Sequence, residues 1–138
     1  MPVAIDTSVL IAWERSGSNL DYLSGYEGPF YVPAHAAAEF LVGIHPPVTG
    51  YFRERARRLY ETQIKHNVTA FSEADAAQLA ALIADLRLKG QQMKFFDAAI
   101  AATVMARKDA LLVADSDFER LRDAITILNY PPTSPTSS

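Results

Sequence analysis

An aspartate set into an apolar helical stripe constrains this chain more than any other feature. Residues 95–121 read FFDAAIAATVMARKDALLVADSDFERL. From Asp97, the positions three, four and seven residues on are Ile100, Ala101 and Val104, so the carboxylate shares the face that a helix would bury. Asp115 and Asp117 then follow directly on the apolar run Leu111–Ala114, which reads as a buried strand. A carboxylate on a buried face is costly unless it is paired or binds a metal.

The rest of the chain supplies a frame for these acids. Pro2–Ile5 is a short apolar strand ending at Asp6, and Thr7 and Ser8 open a helix carrying Val9, Leu10, Ile11 and Trp13. Asn19–Tyr26 reads as a short helix closed near Gly25. Phe30–Val32 is a second strand, and Pro33 leads into an alanine-rich helix over Ala34–Gly43 that contains Glu39. Ile44–Gly50, with two prolines, is a loop. Tyr51–His66 is a helix with Phe52, Ala56, Leu59 and Tyr60 on its apolar side and Arg53, Arg55, Arg57 and Arg58 elsewhere. Val68–Phe71 is a third strand. Ser72 and Asp75 have capping-box spacing ahead of a helix with the stripe Ala76, Leu79, Leu82, Ile83 and Leu86, which stops at Gly90. Leu111–Ala114 and Ile125–Leu128 are the fourth and fifth strands.

Short strands alternating with helices predict an α/β domain with a mainly parallel sheet of four to five strands and helices on both faces. One domain is expected over residues 1–130, followed by a disordered Pro/Ser/Thr tail over 131–138. In such sheets the ligand crevice lies at the carboxyl ends of the strands. Asp6 and Asp115 end different strands, so they share that edge if the strands are neighbours. Glu39 and Asp97 lie near helix starts that follow loops, where they lean toward the same edge.

Acids gathered in one crevice repel one another, by about 4 kcal/mol for two charges ~4 Å apart at an effective dielectric of ~20. Protonation or bound cations must relieve this. The chain has no cysteine, which excludes disulfides and thiolate metal sites and fits a reducing, cytoplasmic setting. Oxygen ligands suit Mg²⁺ or Mn²⁺, which polarise a phosphodiester and activate water. A net charge of −3 offers no global attraction for nucleic acid, so a polyanion must be drawn by bound metal or a local basic patch. The N-terminal residues lack a basic leader, and no apolar run approaches the ~20 residues of a membrane span, so neither a signal peptide nor a membrane partner is expected.

Four motifs, in order, carry a family resemblance: Ile5-Asp6-Thr7-Ser8-Val9-Leu10-Ile11, Ala38-Glu39-Phe40-Leu41-Val42-Gly43, Phe96-Asp97-Ala98-Ala99-Ile100-Ala101 and Ala114-Asp115-Ser116-Asp117-Phe118. Together, over about residues 3 to 128, they resemble the PIN-domain ribonucleases, and the chain's size resembles the VapC-type toxins of toxin–antitoxin pairs. The resemblance implies a three-layer α/β sandwich around a parallel sheet and RNA cleavage dependent on Mg²⁺ or Mn²⁺. It also implies a cognate antitoxin that covers the site, and a homodimer. Asp6, Glu39, Asp97 and Asp115 would form the acidic quartet, with Asp117 as a further metal ligand. Many members carry Thr or Ser just before the first aspartate of the last motif. Here that residue is Ala114, which leaves Ser8 or Thr7 to supply a hydroxyl.

Singly, each acid has a plainer reading. Asp6 serves as a helix cap, Asp97 as a first-turn acid in the helix dipole, Glu39 as a solvated residue, and Asp115 and Asp117 as cap residues. Their joint occurrence favours the metal site. Arg53, Arg55, Arg57, Arg58 and Lys94 are the candidates for RNA phosphates, weighed against a solvated face paired with Glu54 and Glu61. His35, His45 and His66 have no ligand spacing. A phosphoryl-transfer protein, of receiver or phosphatase type, is the alternative, but Ser8 stands where a phosphatase needs a second Asp. A receiver needs its Asp at the end of the third strand, where Phe71-Ser72 stands. A non-catalytic RNA-binding module of the same fold is the other.

Overall fold

Burial on both faces identifies the strands at the centre of the molecule. In the computed structural model, which describes residues 1–45 and 51–132 except for the side chains of residues 51 and 52, β1 (Val3–Ile5) and β4 (Ala110–Val113) are buried at every position. A strand with no solvated face is covered by helices above and below, as in parallel α/β sheets. β2 (Phe30–Pro33) and the two-residue β3 (Val68–Thr69) lie on one side, and β5 (Thr126–Asn129) is the other edge. All four pairings are parallel, in the order β3-β2-β1-β4-β5. The α/β class and the parallel sheet are therefore as the sequence predicts.

The chain runs outward from β1 through β2 to β3, then returns to the far side of β1 for β4 and β5. The order reverses between β1 and β4, where Ile5 lies beside Leu112. At such a switch point, adjoining connections leave in opposite directions and open a crevice at the carboxyl ends. The sequence placed Asp6 and Asp115 together only on the condition that their strands were neighbours, and they are.

Among the described residues, five α-helices complete the frame: α1 (Thr7–Arg15), α2 (Ala34–Val42), α3 (Tyr51–Leu59), α4 (Glu73–Leu88) and α5 (Phe95–Arg107). α3 loosens into a π turn at Tyr60–Ile64 and a 3₁₀ turn at Lys65–Asn67, so the continuous helix expected over 51–66 is three successive forms. α4 packs along α5, and α5 also meets α2 and β4. The capping box forms as predicted, with Ser72 N–H donating to Asp75 Oδ2 at 2.9 Å and Asp75 N–H donating to Ser72 Oγ at 3.2 Å. Asp75 is itself buried and also receives Thr103 Oγ1 at 3.4 Å and Arg107 Nη2 at 3.3 Å. Ala76, expected on the core stripe, faces solvent. Gly90 has φ +66°, and Gln91 N–H returns to the Leu86 carbonyl at 2.8 Å, closing α4 where the sequence stops it.

The helix expected over Asn19–Tyr26 is absent. Successive turns occupy that stretch instead, with Tyr22, Ser24 and Tyr26 amides donating to the carbonyls of Asn19, Asp21 and Leu23. Asn19 Oδ1 accepts from Asp21 N–H at 2.9 Å, an Asx turn that competes with helix. Gly25, with φ +97°, fixes a turn no helix continues through. The expected loop over 44–50 and tail over 131–138 fall largely on residues 46–50 and 133–138, outside the described residues.

Candidate metal centre

Asp6 follows β1 directly and caps α1. Its Oδ2 accepts from Ser8 N–H at 3.2 Å and from Ser8 Oγ–H at 2.5 Å. The plain capping reading of Asp6 is therefore correct as far as it goes. It accounts for one oxygen only: Oδ1 is buried and has no hydrogen-bond partner among the described residues. Ser8 Oγ also accepts from the Ala114 backbone N–H at 2.9 Å. Ser8 thus supplies the hydroxyl that Ala114 cannot. Thr7, the other candidate, turns its Oγ1 to the Ala36 carbonyl at 3.4 Å and so braces α1 against α2.

All five acids singled out in the sequence line one cleft of about 380 Å³: Asp6, Glu39, Asp97, Asp115 and Asp117, with Arg15 at its edge. β1, α2, α5 and the turn after β4 each deliver part of it. Asp97 is 8% exposed, and Ala98 to Val104 are buried without a break, so this stretch of α5 is covered on every side and not along a single stripe. Asp115 Oδ1 accepts from Asp117 N–H at 3.1 Å, an Asx turn that fixes both after the strand.

Burial pushes the Asp6 carboxyl up to about 7, against the two Ser8 hydrogen bonds, with Asp115 and then Asp97 adding repulsion. Burial also raises Asp97 to about 6, reinforced by Asp117, Glu39 and Asp115 and opposed by Lys94. Keeping Asp6 ionised at neutral pH costs on the order of a few kcal/mol, a cost that a bound cation removes.

The donor set is all oxygen, with no histidine in the lining. Together with the orphaned Asp6 Oδ1, it fits a hard divalent cation such as Mg²⁺ or Mn²⁺. Among the described residues, no three acids, histidines or cysteines are grouped so as to hold a metal ion as they stand. The carboxylates instead border an open cleft, which suits an ion that retains water and takes substrate oxygens.

The basic residues sort differently from the sequence expectation. Arg55 Nε bonds Glu14 Oε1 at 2.7 Å, and Arg53 Nε bonds the Ile44 carbonyl at 2.9 Å. Both line a neighbouring groove, not the acid cleft. Arg57 and Arg58 are exposed and line neither. Lys94 lines an adjoining cavity with Asp97 and Asp117. Arg15 escaped sequence reasoning, although Ser8, Ile11, Ala12 and Arg15 lie at i, i+3, i+4 and i+7 on the face of α1 that borders the cleft. Arg120, three residues after Asp117, was likewise missed. His35 sits edge-on to Phe71 at 4.6 Å, away from the acids' cleft, and burial lowers its pKa.

A parallel α/β domain with carboxylates from four separate segments at its switch point belongs to the class of acid-cleft domains. The family within that class is shown by the match of the PIN domain model to residues 3–124: the chain belongs to the PIN domain family. No curated protein is significantly similar to it in sequence. Among solved structures, a chain of the DNA-bound VapBC2 complex from Rickettsia felis superposes with a TM-score of 0.76 at 15% identity, covering 94% of this chain and 99% of that one. VapBC-5 from Mycobacterium tuberculosis, of the VapBC toxin–antitoxin family, gives 0.71 at 22% identity over 94% and 98%. VapBC-1 from nontypeable Haemophilus influenzae gives 0.72 at 16% over 94% and 98%. At these identities the likeness is one of fold. No helix among the described residues is long and apolar enough to cross a membrane.

Proposed function

We propose that this PIN-domain protein is a metal-dependent endoribonuclease and the toxin of a type II toxin–antitoxin pair. The observation that carries the reading is the convergence of five carboxylates on one cleft with Asp6 Oδ1 buried and unpartnered. Asp6, Glu39, Asp97 and Asp115, with Asp117, would hold Mg²⁺ or Mn²⁺. When bound, the ion supplies Lewis-acid polarisation of the phosphodiester and a lowered pKa for a water nucleophile. Ser8 holds Asp6 Oδ2, which leaves Oδ1 without a partner among the described residues. The Asx turn holds Asp115 and Asp117 in fixed relation, and Arg15 gives the open cleft a cation for substrate phosphate. The strand order supports this reading over a receiver, whose order is 2-1-3-4-5.

The antitoxin fits the groove between α1, α2 and α3, about 450 Å³, whose walls include Ile11, Phe40, Ile44 and Ala56. An apolar helix face is the matching ligand. Glu39 lines both groove and cleft, so a basic side chain of a partner seated there meets an active-site carboxylate. Solved relatives in fold are toxin–antitoxin complexes, which supports the assignment.

Purified protein with Mn²⁺ is expected to cleave cellular RNA, with activity lost on chelation and restored by re-adding the ion. RNA-end sequencing then reads the sites. Equal cleavage by unaltered protein and Asp97→Asn, or none by either, rejects the proposal.

A further inference from the structure

A second cavity, about 640 Å³, opens off the acid cleft and shares Asp97 and Asp117 with it. Its remaining polar walls are Gln92, Lys94, Ser116 and Arg120. Two segments build it: the connection from α4 into α5, and the turn after β4 that continues into the 3₁₀ helix Glu119–Leu121. Arg120 Nη1 joins them by donating to the Gln92 carbonyl at 2.5 Å, while Phe118 anchors the second segment, 1% exposed. The cavity is therefore braced.

Its cations are only partly committed within the protein: Arg120 braces the two segments, and Lys94 acts on Asp97 through space. Among the described residues the Lys94 ammonium makes no hydrogen bond or ion pair, and Arg120 commits only one of its donors. Both residues are exposed. The net charge of the protein is negative, and the adjoining cleft is anionic. Two cations in a cavity that shares Asp97 and Asp117 with that cleft are the local attraction that a polyanion requires. With a divalent ion neutralising Asp97 and Asp117, the charge left in this cavity is positive. Gln92 and Ser116 add neutral polar groups suited to sugar or phosphate oxygens.

We propose that the cavity between Lys94 and Arg120 is a phosphate subsite that grips the RNA backbone beside the cleaved bond. It rests on the nuclease reading above. Lys94 and Arg120 are binding residues here. They raise the local concentration of substrate and fix which phosphodiester lies over the carboxylates, without moving a proton.

The test compares unaltered protein, Lys94→Ala/Arg120→Ala and Arg120→Lys. The probe is a fluorescein-labelled, random-sequence, single-stranded RNA of about 20 nucleotides. Anisotropy is followed with Ca²⁺ present as a hard oxygen-seeking ion, between about 50 and 200 mM salt. Losing two phosphate contacts lowers the salt slope by about 1.4, and affinity at the lowest salt falls at least tenfold. Arg120→Lys retains the charge and is expected to retain the slope. Thermal melts verify that each variant folds. An unchanged slope in the double variant overturns the subsite, as does an Arg120→Lys variant that loses as much as the double variant, which would reduce Arg120 to a loop brace. Mn²⁺-dependent cleavage of the same RNA, lost in Asp97→Asn, tests the underlying reading separately. Cleavage with an unchanged slope rejects the subsite alone, and no cleavage by the unaltered protein rejects both.

Discussion

Ser8 and Ala114 lie 106 positions apart and are joined by a hydrogen bond of 2.9 Å from the Ala114 amide to the Ser8 hydroxyl. The same hydroxyl donates to Asp6 Oδ2, so one side chain ties the exit of β4 to the acid at the exit of β1. Ser8→Ala removes both bonds. Stability is expected to fall by roughly 1 kcal/mol. Because the Ser8 hydroxyl bond opposes the rise in the Asp6 pKa, its loss moves it further up. Mn²⁺ affinity measured by calorimetry should fall more at pH 6.5 than at about pH 8; equal losses at both would separate Ser8 from Asp6.

Asp6→Asn should stabilise the metal-free protein while abolishing metal binding. The amide oxygen still accepts from Ser8, so the cap is kept, and the buried charge is gone. The sign follows from linkage. Asp6 rises from 3.8 unfolded to about 7 folded, so the folded state binds more protons between those values. Its contribution to stability is most favourable below about pH 4 and is lost as pH rises through 7. At pH 8 the variant should be more stable by roughly 1–3 kcal/mol, read by urea unfolding with a chelator present. A variant less stable than the unaltered protein at that pH would contradict the burial account.

Metal uptake should release protons. Asp6 and Asp97, raised to about 7 and about 6, are partly protonated near neutrality and must ionise to ligate. Mn²⁺ affinity and cleavage should therefore rise from about pH 5.5 and flatten above about pH 8. Calorimetry in buffers of differing ionisation enthalpy counts the protons released. Affinity independent of pH over this range would mean that neither acid ligates.

Asp75→Ala should harm folding and spare the chemistry. It removes one half of the α4 capping box and strips Arg107 and Thr103 of a buried acceptor. The expected loss is about 2–4 kcal/mol, roughly 5–12 °C in Tm for a domain of this size. Cleavage per folded molecule at low temperature should be unchanged, since Asp75 does not line the acid cleft. A specific activity below half of the unaltered value would place it in the site.

Local pattern alone carried much of this protein. The 3.6-residue spacing around Asp97, the apolar runs before Asp6 and Asp115, and the Ser72–Asp75 box each depend on neighbours a few residues away. Each appears in the structure near its expected boundaries. Asn19–Tyr26 failed because side-chain and glycine turn chemistry outcompeted a weak helical pattern. Periodicity reports which side of an element is buried, not which element covers it. Only the tertiary order, with β1 beside β4, brings Asp6 to Asp115. Only packing sends Arg53 and Arg55 to Ile44 and Glu14 and leaves Arg15, Lys94 and Arg120 around the cleft. Charge is written in the sequence, but its partner is chosen by contacts across tens of residues, because desolvation and distance decide which pairs form.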